Sequence, residues 1–422
     1  MVWGGNDNAV ERWVKQLREN DPKLTTLHIM SMRRLSSQDL VSIFSALSTN
    51  TTLKHLYCSG HVLDTPAVEA LAEALTLNDS LESLNVGAPD FGQQHALFQA
   101  FAEGLAANEG LIELDLENKQ IGDEAMDLLG EALQKNPSLR RINLARNQIG
   151  DASLMRWAAQ DTTRLQSLNV ASNNVGAPGA QALIPALQHL HVLDLSDNAL
   201  DTGAVALAAA LHHSTLRTLK LVNTTEHGDA LMDALRLEGN QYLACLWLDQ
   251  NHIQHVPESL TLGVLTELRI RENQLDDAAA LRLATALQNH PHALSLDLGQ
   301  NAIQYRGMDA LLGANISYLG LFSNQIHGLQ DATDDTLDLS ASVVERLDLG
   351  CNSITADDLA VVVGLLLQEG AAPRLRLLEM GGNHKPDELE AWEAQMEALQ
   401  AARPDLEVVW KLAAQQEDQP PM

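Results

Sequence analysis

An eleven-residue phrase, Leu-x-x-Leu-x-Leu-x-x-Asn-x-Ile, recurs along this chain of 422 residues. Its clearest copy runs from Leu139 to Ile149, with Asn147 at the ninth position. A period of this kind is typical of solenoids, in which each repeat buries its apolar face only against its neighbours. The phrase therefore predicts a stack of repeats, although the length alone would suggest two or three domains. We place fourteen copies, mostly 25 to 31 residues apart, which begin at Leu24, Leu53, Leu81, Leu111, Leu139, Leu165, Leu190, Leu216, Leu243, Leu265, Ala293, Ile316, Val344 and Leu375.

Each position of the phrase has a predicted direction. The fourth and sixth residues, such as Leu114 and Leu116, alternate like a strand with one buried face. The third, fifth and seventh residues must then point outward. The ninth residue is interpreted as an inward amide that bonds to backbone groups at the turn, and not as a catalytic residue. It is Asn at Asn147, Asn173, Asn198, Asn251, Asn273, Asn301, Asn324, Asn352 and Asn383.

Five copies depart from the asparagine. They have Met32, His61, Pro89, Lys119 and Thr224 at the ninth position. We expect looser turns in the first four of these copies, because the amide that would bond to the backbone is missing.

After the turn, most copies have apolar residues at helical spacing, as in Met126 and Leu129. Acidic residues such as Asp64 and Asp123 precede or begin these segments, where they are predicted to cap free N–H groups. The segment after Asn251 is too short for a full helix, so an extended or 3₁₀ return is predicted there.

Both ends of the stack are predicted to be covered, because a solenoid exposes apolar surface where its repeats stop. Residues 1–23 are assigned to an N-terminal helical cap and residues 24–385 to the repeats. Residues 386–411 are assigned to a C-terminal cap of one helix and one strand, and the polar residues 412–422 to a disordered tail.

The chain is strongly acidic, with 27 Lys+Arg against 56 Asp+Glu and a formal charge of -29. Such a surface repels phosphate backbones and anionic lipid, so neither nucleic acid nor a membrane is expected as a partner. The three cysteines, Cys58, Cys245 and Cys351, suggest no disulfide framework. The first residues lack a secretory signal. A reduced, cytoplasmic protein is therefore expected.

The stretch from Leu111 to Asn147, in which Ile121-Gly122-Asp123-Glu124-Ala125 follows the strand, resembles leucine-rich repeats of the ribonuclease-inhibitor type. Similar repeats occur in the Ran GTPase-activating protein and in NOD-like receptors. The resemblance extends over about nine-tenths of the chain. It implies an α/β fold: a right-handed solenoid bent into a horseshoe, with parallel strands on the concave face and helices on the convex face.

Known catalytic and metal-binding motifs do not occur in the sequence. There is no phosphate-binding Gly-x-x-x-x-Gly-Lys-Ser/Thr loop, no His-Glu-x-x-His and no Gly-x-Ser-x-Gly. The acidic run at residues 331–338 lacks the Gly and the terminal Glu of a calcium loop, so a solvated loop is predicted. We expect no enzyme activity, no cofactor and no bound metal.

The outward strand positions are the candidate binding residues. Four of the 42 outward positions are aromatic, namely Tyr57, Trp247, Tyr318 and Phe322. Chance would give roughly one or two, and exposed aromatic residues are preferred at binding hot spots. The fifth-position residues Lys220, Trp247 and Arg269 belong to consecutive copies. Adjacent strands lie about 4.8 Å apart, so a cationic head is predicted to rest on the indole. The predicted protein-binding residues are Tyr57, Lys220, Trp247, Arg269, Arg271, Tyr318 and Phe322.

A possible acidic patch lies on one strand, where Glu113, Asp115 and Glu117 all point outward. Like charges so placed repel one another. The sequence leaves two interpretations open: the charges are harmless, or a basic partner meets them.

The function predicted from these features is a non-enzymatic intracellular scaffold that binds a protein partner through its concave face. The partner would be a basic protein or a small GTPase, and the oligomeric state is left open. The resemblance implies an alternative, a GTPase-activating or other small-GTPase regulator of the Ran GTPase-activating type. Capping of actin or another filament is a third possibility that the repeats allow.

Overall fold

The computed structural model describes residues 7–160, 163–329 and 339–411. The acidic run at 331–338 and the predicted tail at 412–422 lie outside them. The chain forms two compact units, residues 1–207 with 213–220 and residues 208–212 with 221–422.

Parallel strands form the sheet of the first unit, and its described strands follow one another in chain order. Their fourth-position residues pair in register from Leu27 and Leu56 through to Leu193 and Leu219, and all are buried. The predicted parallel repeat is therefore confirmed here. The strands are β1 (Thr26–His28), β2 (His55–Ser59), β3 (Ser83–Gly87), β4 (Glu113–Asp115), β5 (Arg141–Asn143), β6 (Ser167–Asn169), β7 (Val192–Asp194) and β8 (Thr218–Lys220).

Helices precede and separate these strands. They bury the residues that the helical spacing indicated, such as Met126, Leu129, Val68 and Leu71. The helices are α1 (Asp7–Arg18), α2 (Ser37–Leu47), α3 (Thr65–Leu77), α4 (His95–Ala107), α5 (Asp123–Lys135), α6 (Asp151–Ala158), α7 (Ala177–Ala182) and α8 (Thr202–Ala210), the last where the chain passes between units.

The second unit repeats the same plan with more variation. Its fourth-position residues also pair in register, from Leu246 and Leu268 to Leu378 and Val408. No helix forms between β9 (Cys245–Trp247) and β10 (Glu267–Arg269), as predicted. The register shifts between Leu294 and Ser295, in one of the short repeats. The elements are α9 (Gly228–Ala234), β9 (Cys245–Trp247), β10 (Glu267–Arg269), α10 (Asp277–Leu287), β11 (Leu294–Asp297), α11 (Tyr305–Leu312), β12 (Ile316–Gly320), β13 (Arg346–Asp348), α12 (Ala356–Leu366), β14 (Leu377–Glu379), α13 (Leu389–Ala402) and β15 (Glu407–Val409).

The ninth-position asparagines form a ladder of backbone contacts, which confirms their structural interpretation. Asn147 Nδ2 donates to the carbonyls of Leu116 (3.0 Å) and Leu144 (2.9 Å). Its Oδ1 accepts from the N–H groups of Lys119 (2.9 Å) and Ile121 (3.0 Å) in the preceding repeat. Each such side chain therefore joins two repeats.

A second asparagine ladder, which was not predicted from the sequence, lies between the helices and the strands that follow them. Its members are buried and stand three residues before a phrase. Asn78 Nδ2 donates to the Leu47 carbonyl (2.6 Å), and its Oδ1 accepts from the Leu81 N–H (2.8 Å). The amide thus links a helix end to both the previous repeat and the next strand. The members are Asn50, Asn78, Asn108, Asn136 and Asn240.

Only some of the acidic residues at helix starts have the predicted role. Asp64 does cap its own helix through the Ala67 N–H (3.2 Å). For Asp123 the prediction is wrong: its carboxylate accepts instead from Gly150 N–H (3.0 Å) and Ser153 Oγ (2.7 Å) in the next repeat. Asp123 is the first residue inside α5, so its side chain can point along the stack rather than back over its own helix.

Turns without the ninth-position asparagine are built in other ways. Short 3₁₀ helices occupy Ser31–Arg33 and Phe91–Gln93. Lys119 is buried in the asparagine position, and its ammonium donates to the Glu117 carbonyl (2.8 Å) and to Ser59 Oγ (2.9 Å). Burial lowers the pKa of Lys119.

Candidate functional site

The outward side chains of β9–β13 and of the residues just after them form one continuous surface on the strands of the second unit. We call Trp247, Arg269, Arg271, Tyr318 and Phe322 the aromatic–arginine surface. All five are half-buried. Parallel register puts Trp247 beside Arg269, because β9 and β10 pair at those residues.

The predicted contact between a cation and the Trp247 ring is present. The Arg269 Cζ lies 4.2 Å from the ring centroid. The indole Nε1 donates to Glu267 Oε1 (2.8 Å), and Arg269 Nη2 lies 2.7 Å from Asp249 Oδ2. These bonds hold both side chains in one orientation before any partner arrives, so less conformational entropy is lost on binding.

Asp249 contacts both Arg269 and Arg271, and its side chain is only 6% exposed. Burial raises the pKa of Asp249, and hydrogen bonds from the Arg271 N–H (2.8 Å) and from Arg269 oppose that rise. A buried carboxylate is expensive unless it is paired, and these two residues supply its partners.

Arg271 extends the surface toward the following strand. Its Nη1 lies 3.0 Å from Asp297 Oδ2. Burial opposes the charge of Arg271, but Asp297 and Asp249 outweigh it and hold its pKa above the ordinary value. A Cβ on Gly299 would lie 3.2 Å from the guanidinium carbon, so the glycine lets Arg271 lie flat.

Tyr318 and Phe322 also lie flat because glycines are beside them. A Cβ on Gly320 would come within 2.9 Å of the Tyr318 hydroxyl, and one on Gly350 within 2.9 Å of the Phe322 ring. Arg346 Cζ lies 5.1 Å from the Tyr318 ring centroid. These two rings, each lying beside a glycine, form what we call the aromatic platform.

Burial, together with Asp297 and Asp348, raises the pKa of Tyr318 to about 12. The raised pKa makes ionisation of the phenol still less favourable than in an ordinary tyrosine, so the hydroxyl keeps a hydrogen to donate. It offers a partner a neutral donor on an apolar ring.

Asp348, at the edge of this platform, predicts a pH dependence of stability. Its pKa is raised, chiefly by burial. Because the pKa of Asp348 is higher in the folded than in the unfolded chain, its contribution to stability is fully present below the unfolded-state pKa. That contribution is lost as the pH rises through the folded-state pKa. In Asp348→Asn this pH-dependent loss of stability is absent. The asparagine Oδ1 can still accept the hydrogen bond from Gly350 N–H, which is 2.9 Å long in the parent. We expect the free energy of unfolding of Asp348→Asn, relative to the parent, to increase between about pH 3 and about pH 7 in urea titrations.

Asp358 provides the matched control, because its pKa is shifted in the opposite direction to that of Asp348. Burial alone would raise its pKa, but hydrogen bonds from Thr355 and Leu329 outweigh burial and lower it. Its contribution is present above the unfolded pKa and is lost as pH falls through the folded one. The relative stability of Asp358→Asn is therefore expected to decrease over the same pH rise, and trends of equal sign in both variants would contradict the assignment.

Two predicted residues belong to the first unit. Tyr57 on β2 packs beside His28, with ring centroids 5.5 Å apart. Lys220 on β8 lies 3.8 Å from Asp194 through its Nζ. They are placed among outward strand residues, as predicted, and their part in binding stays a prediction.

The acidic residues of β4 and its following turn have partners within the chain. Glu113 forms an ion pair with Arg141 (2.9 Å). Asp115 accepts from Asn85 (2.7 Å), and Glu117 lies 3.4 Å from Arg146. These contacts offset the mutual repulsion and favour the interpretation in which the charges are harmless.

Sequence reasoning missed the residues that hold the platform in place. Asp249, Glu267, Asp297 and Arg346 are at the third, fifth or seventh positions, so their outward direction was available as a signal. What the sequence did not reveal is which neighbour each one contacts.

Comparisons with known proteins agree with the repeat pattern. A family profile described as "Leucine Rich repeat" matches residues 135–156, 163–183 and 186–208. The human "NACHT, LRR and PYD domains-containing protein 14" is 29% identical over 341 residues, covering 67% of this chain and 30% of that protein. The human "Capping protein, Arp2/3 and myosin-I linker protein 3" is 31% identical over 210 residues, covering 46% of this chain and 15% of that protein. This chain thus spans less than a third of either relative.

Among solved structures, an internalin from Listeria monocytogenes is 16% identical, with a TM-score of 0.43, covering 98% of this chain and 94% of that one. None of the helices in the described residues is long and apolar enough to cross a membrane. In the same residues, no three His, Cys, Asp or Glu side chains gather as metal ligands would.

Proposed function

We propose that this chain, a leucine-rich-repeat protein, is a non-enzymatic scaffold that binds a protein partner through the aromatic–arginine surface. The observation that carries the proposal is Arg269 held over the Trp247 ring at 4.2 Å and fixed there by Asp249. Trp, Tyr and Arg are the residue types most enriched at binding hot spots.

The geometry of the surface suits a broad contact rather than a small ligand. Its aromatic rings lie flat beside glycines and are ringed by ion pairs. Such a centre excludes water while its polar rim gives specificity. The net charge of -29 would steer a basic partner toward the chain and raise the association rate, particularly at low salt.

Affinity capture from an extract tests this proposal. The double variant Trp247→Ala/Arg269→Ala is compared with Met155→Ala/Arg156→Ala, which removes an exposed apolar residue and an ion-paired arginine from helix α6. We expect a partner to be retained by the parent and by the α6 variant and lost from the strand variant. Equal capture by both variants would remove the surface from the proposal.

A second candidate is a partner from the actin-filament machinery, the filament option allowed by the sequence. It is favoured by the similarity to a capping protein, Arp2/3 and myosin-I linker protein and to rat leiomodin-2, which is 26% identical over 140 residues. Binding of purified capping protein and co-sedimentation with actin filaments test it. Single-turnover GTP hydrolysis by small GTPases tests the remaining alternative. A GTPase-activating protein would raise the rate of hydrolysis, whereas a scaffold would leave that rate unchanged.

We further propose that the protein acts in the reducing cytoplasm. Cys58, Cys245 and Cys351, all within the described residues, form no disulfide with one another. Burial raises the pKa of Cys58 to about 12, so this thiol is kept unreactive.

A further inference from the structure

Two carboxylates on the strand face of the second unit have an arginine partner within the chain. Asp249 lies 2.7 Å from Arg269. Asp297 lies 3.0 Å from Arg271. Partly buried carboxylates are costly without a partner, and the arginines offset that cost. The negative charge of these two residues is therefore compensated before any partner protein binds.

Two other carboxylates on the same face, those of Asp348 and Glu379, form no ion pair with any described residue. Asp348 Oδ1 accepts from the Gly350 N–H (2.9 Å), whereas its second oxygen has no hydrogen bond to a described residue. The residues outside the described ranges contain no Lys, Arg or His. No basic side chain of this sequence therefore pairs with either carboxylate.

The two unpaired carboxylates lie side by side. Asp348 and Glu379 are paired in register on β13 and β14, and adjacent strands are about 4.8 Å apart. Both residues are half-buried, so water screens their mutual repulsion less than it would on an open surface. Burial is the largest cause of the raised pKa of Asp348, and Asp297 adds to it. A cation in contact with both carboxylates would relieve this repulsion.

The Phe322 ring lies beside these carboxylates. A Cβ built on Gly350 would be 2.9 Å from Phe322 Cδ2 and 3.2 Å from Asp348 Oδ1, so the ring and the carboxylate meet over one glycine. The ring is half-buried, and a partner can still cover its remaining surface. Burial raises the pKa of Tyr318, and Asp348 and Glu379 are among its further causes. The aromatic platform and the two carboxylates are therefore close enough to act on one bound group.

An aromatic ring beside two unpaired carboxylates suits a guanidinium group. The planar guanidinium stacks on aromatic rings, and its several N–H donors can reach more than one carboxylate. The ammonium group of lysine is a compact, strongly hydrated point charge, so it gains less from the ring. A phosphate or carboxylate of a partner would be repelled. Charge and shape therefore both favour an arginine side chain as the occupant.

We propose that Phe322, Asp348 and Glu379 form a subsite for an arginine side chain of the protein partner. The guanidinium stacks on the half-exposed ring and donates hydrogen bonds to both carboxylates. The partner thus supplies the cation that these carboxylates lack within the chain. This inference rests on the proposed function, because the subsite continues the aromatic–arginine surface from Phe322 onto β13 and β14.

A displayed library of short random peptides is the probe for this subsite. The library is selected on the full-length protein and counter-selected on Trp247→Ala/Arg269→Ala. Every surviving peptide therefore needs the surface named in the proposed function. We expect the surviving peptides to share an arginine. Replacement of that arginine by glutamine should weaken binding about 10-fold, and replacement by lysine should weaken it to a smaller extent.

Asp348→Asn/Glu379→Gln removes both negative charges with little change in size. Fluorescence polarisation should show about 10-fold weaker binding of an arginine peptide and nearly unchanged binding of its glutamine version. Glu69→Gln/Glu73→Gln is the matched control, because it removes two charges from exposed positions of helix α3 and should bind like the parent. Circular dichroism and urea unfolding confirm that each variant is folded. Glu379→Gln alone serves as the test variant if the double variant does not fold.

The possible outcomes separate the subsite from the proposed function. Surviving peptides that share no arginine would overturn the subsite and leave the proposed function standing. The same holds if the charge-removing variant weakens the arginine and glutamine peptides equally. Equal binding of the arginine and lysine versions would overturn the assignment to a guanidinium group. If no peptide survives the counter-selection, the subsite and the proposed function are both contradicted.

Discussion

Asn147→Ala is expected to reduce the free energy of unfolding by roughly 3–4 kcal/mol, since each buried polar group left without a partner costs about 1–3 kcal/mol. The side chain is 8% exposed and makes five hydrogen bonds to backbone groups. Alanine leaves two N–H groups of the preceding repeat without their acceptor. Water reaches this site poorly, so the loss is not made up by solvent.

The neighbouring amide Gln148 is the matched control. It is exposed, and its side chain makes no hydrogen bond within the described residues. Gln148→Ala should therefore change stability by no more than about 0.5 kcal/mol. Urea unfolding of both variants measures the difference, and similar losses would contradict the role assigned to the asparagine ladder.

Trp247→Ala/Arg269→Ala is expected to weaken binding to the captured partner by about 3–4 kcal/mol, or at least 100-fold in Kd. Truncation removes the aromatic anchor and leaves the buried Asp249 without its nearest cation. The two single losses should not add, because the side chains are in contact at 4.2 Å.

Calorimetric titration of the two single variants and the double variant measures the coupling between these residues. Met155→Ala/Arg156→Ala should bind like the parent, because it alters helix α6 alone. Additive losses from Trp247 and Arg269 would show that they act separately rather than as one anchor.

The strands were predictable because one apolar period specifies both the element and its buried face. Leu27, Leu56 and the later fourth-position residues fall in register as the phrase requires. The second asparagine ladder was visible in the spacing, three residues before a phrase, but its partners lie in the previous repeat. Asp123 was misassigned for the same reason: a local rule for helix caps does not reveal a bond to the next repeat.

For the candidate surface, the sequence predicted which side chains point outward and which of them are neighbours on adjacent strands. The outward positions and the contact of Arg269 with Trp247 follow from strand pairing. The flat orientation of Tyr318 and Phe322 depends on Gly320 and Gly350, whose missing Cβ atoms matter only once strands are side by side. The sequence alone does not show how far the neighbouring strands cover each outward side chain.

Photo-crosslinking tests the central claim, binding through the aromatic–arginine surface, most directly. Phe322 is replaced by benzoylphenylalanine in one protein, and Leu281, a 48% exposed residue of helix α10, in another. Illumination in an extract is expected to give a specific adduct from position 322 that Trp247→Ala/Arg269→Ala abolishes, and no such adduct from position 281. An adduct that forms equally from both positions, or only from 281, would contradict the account.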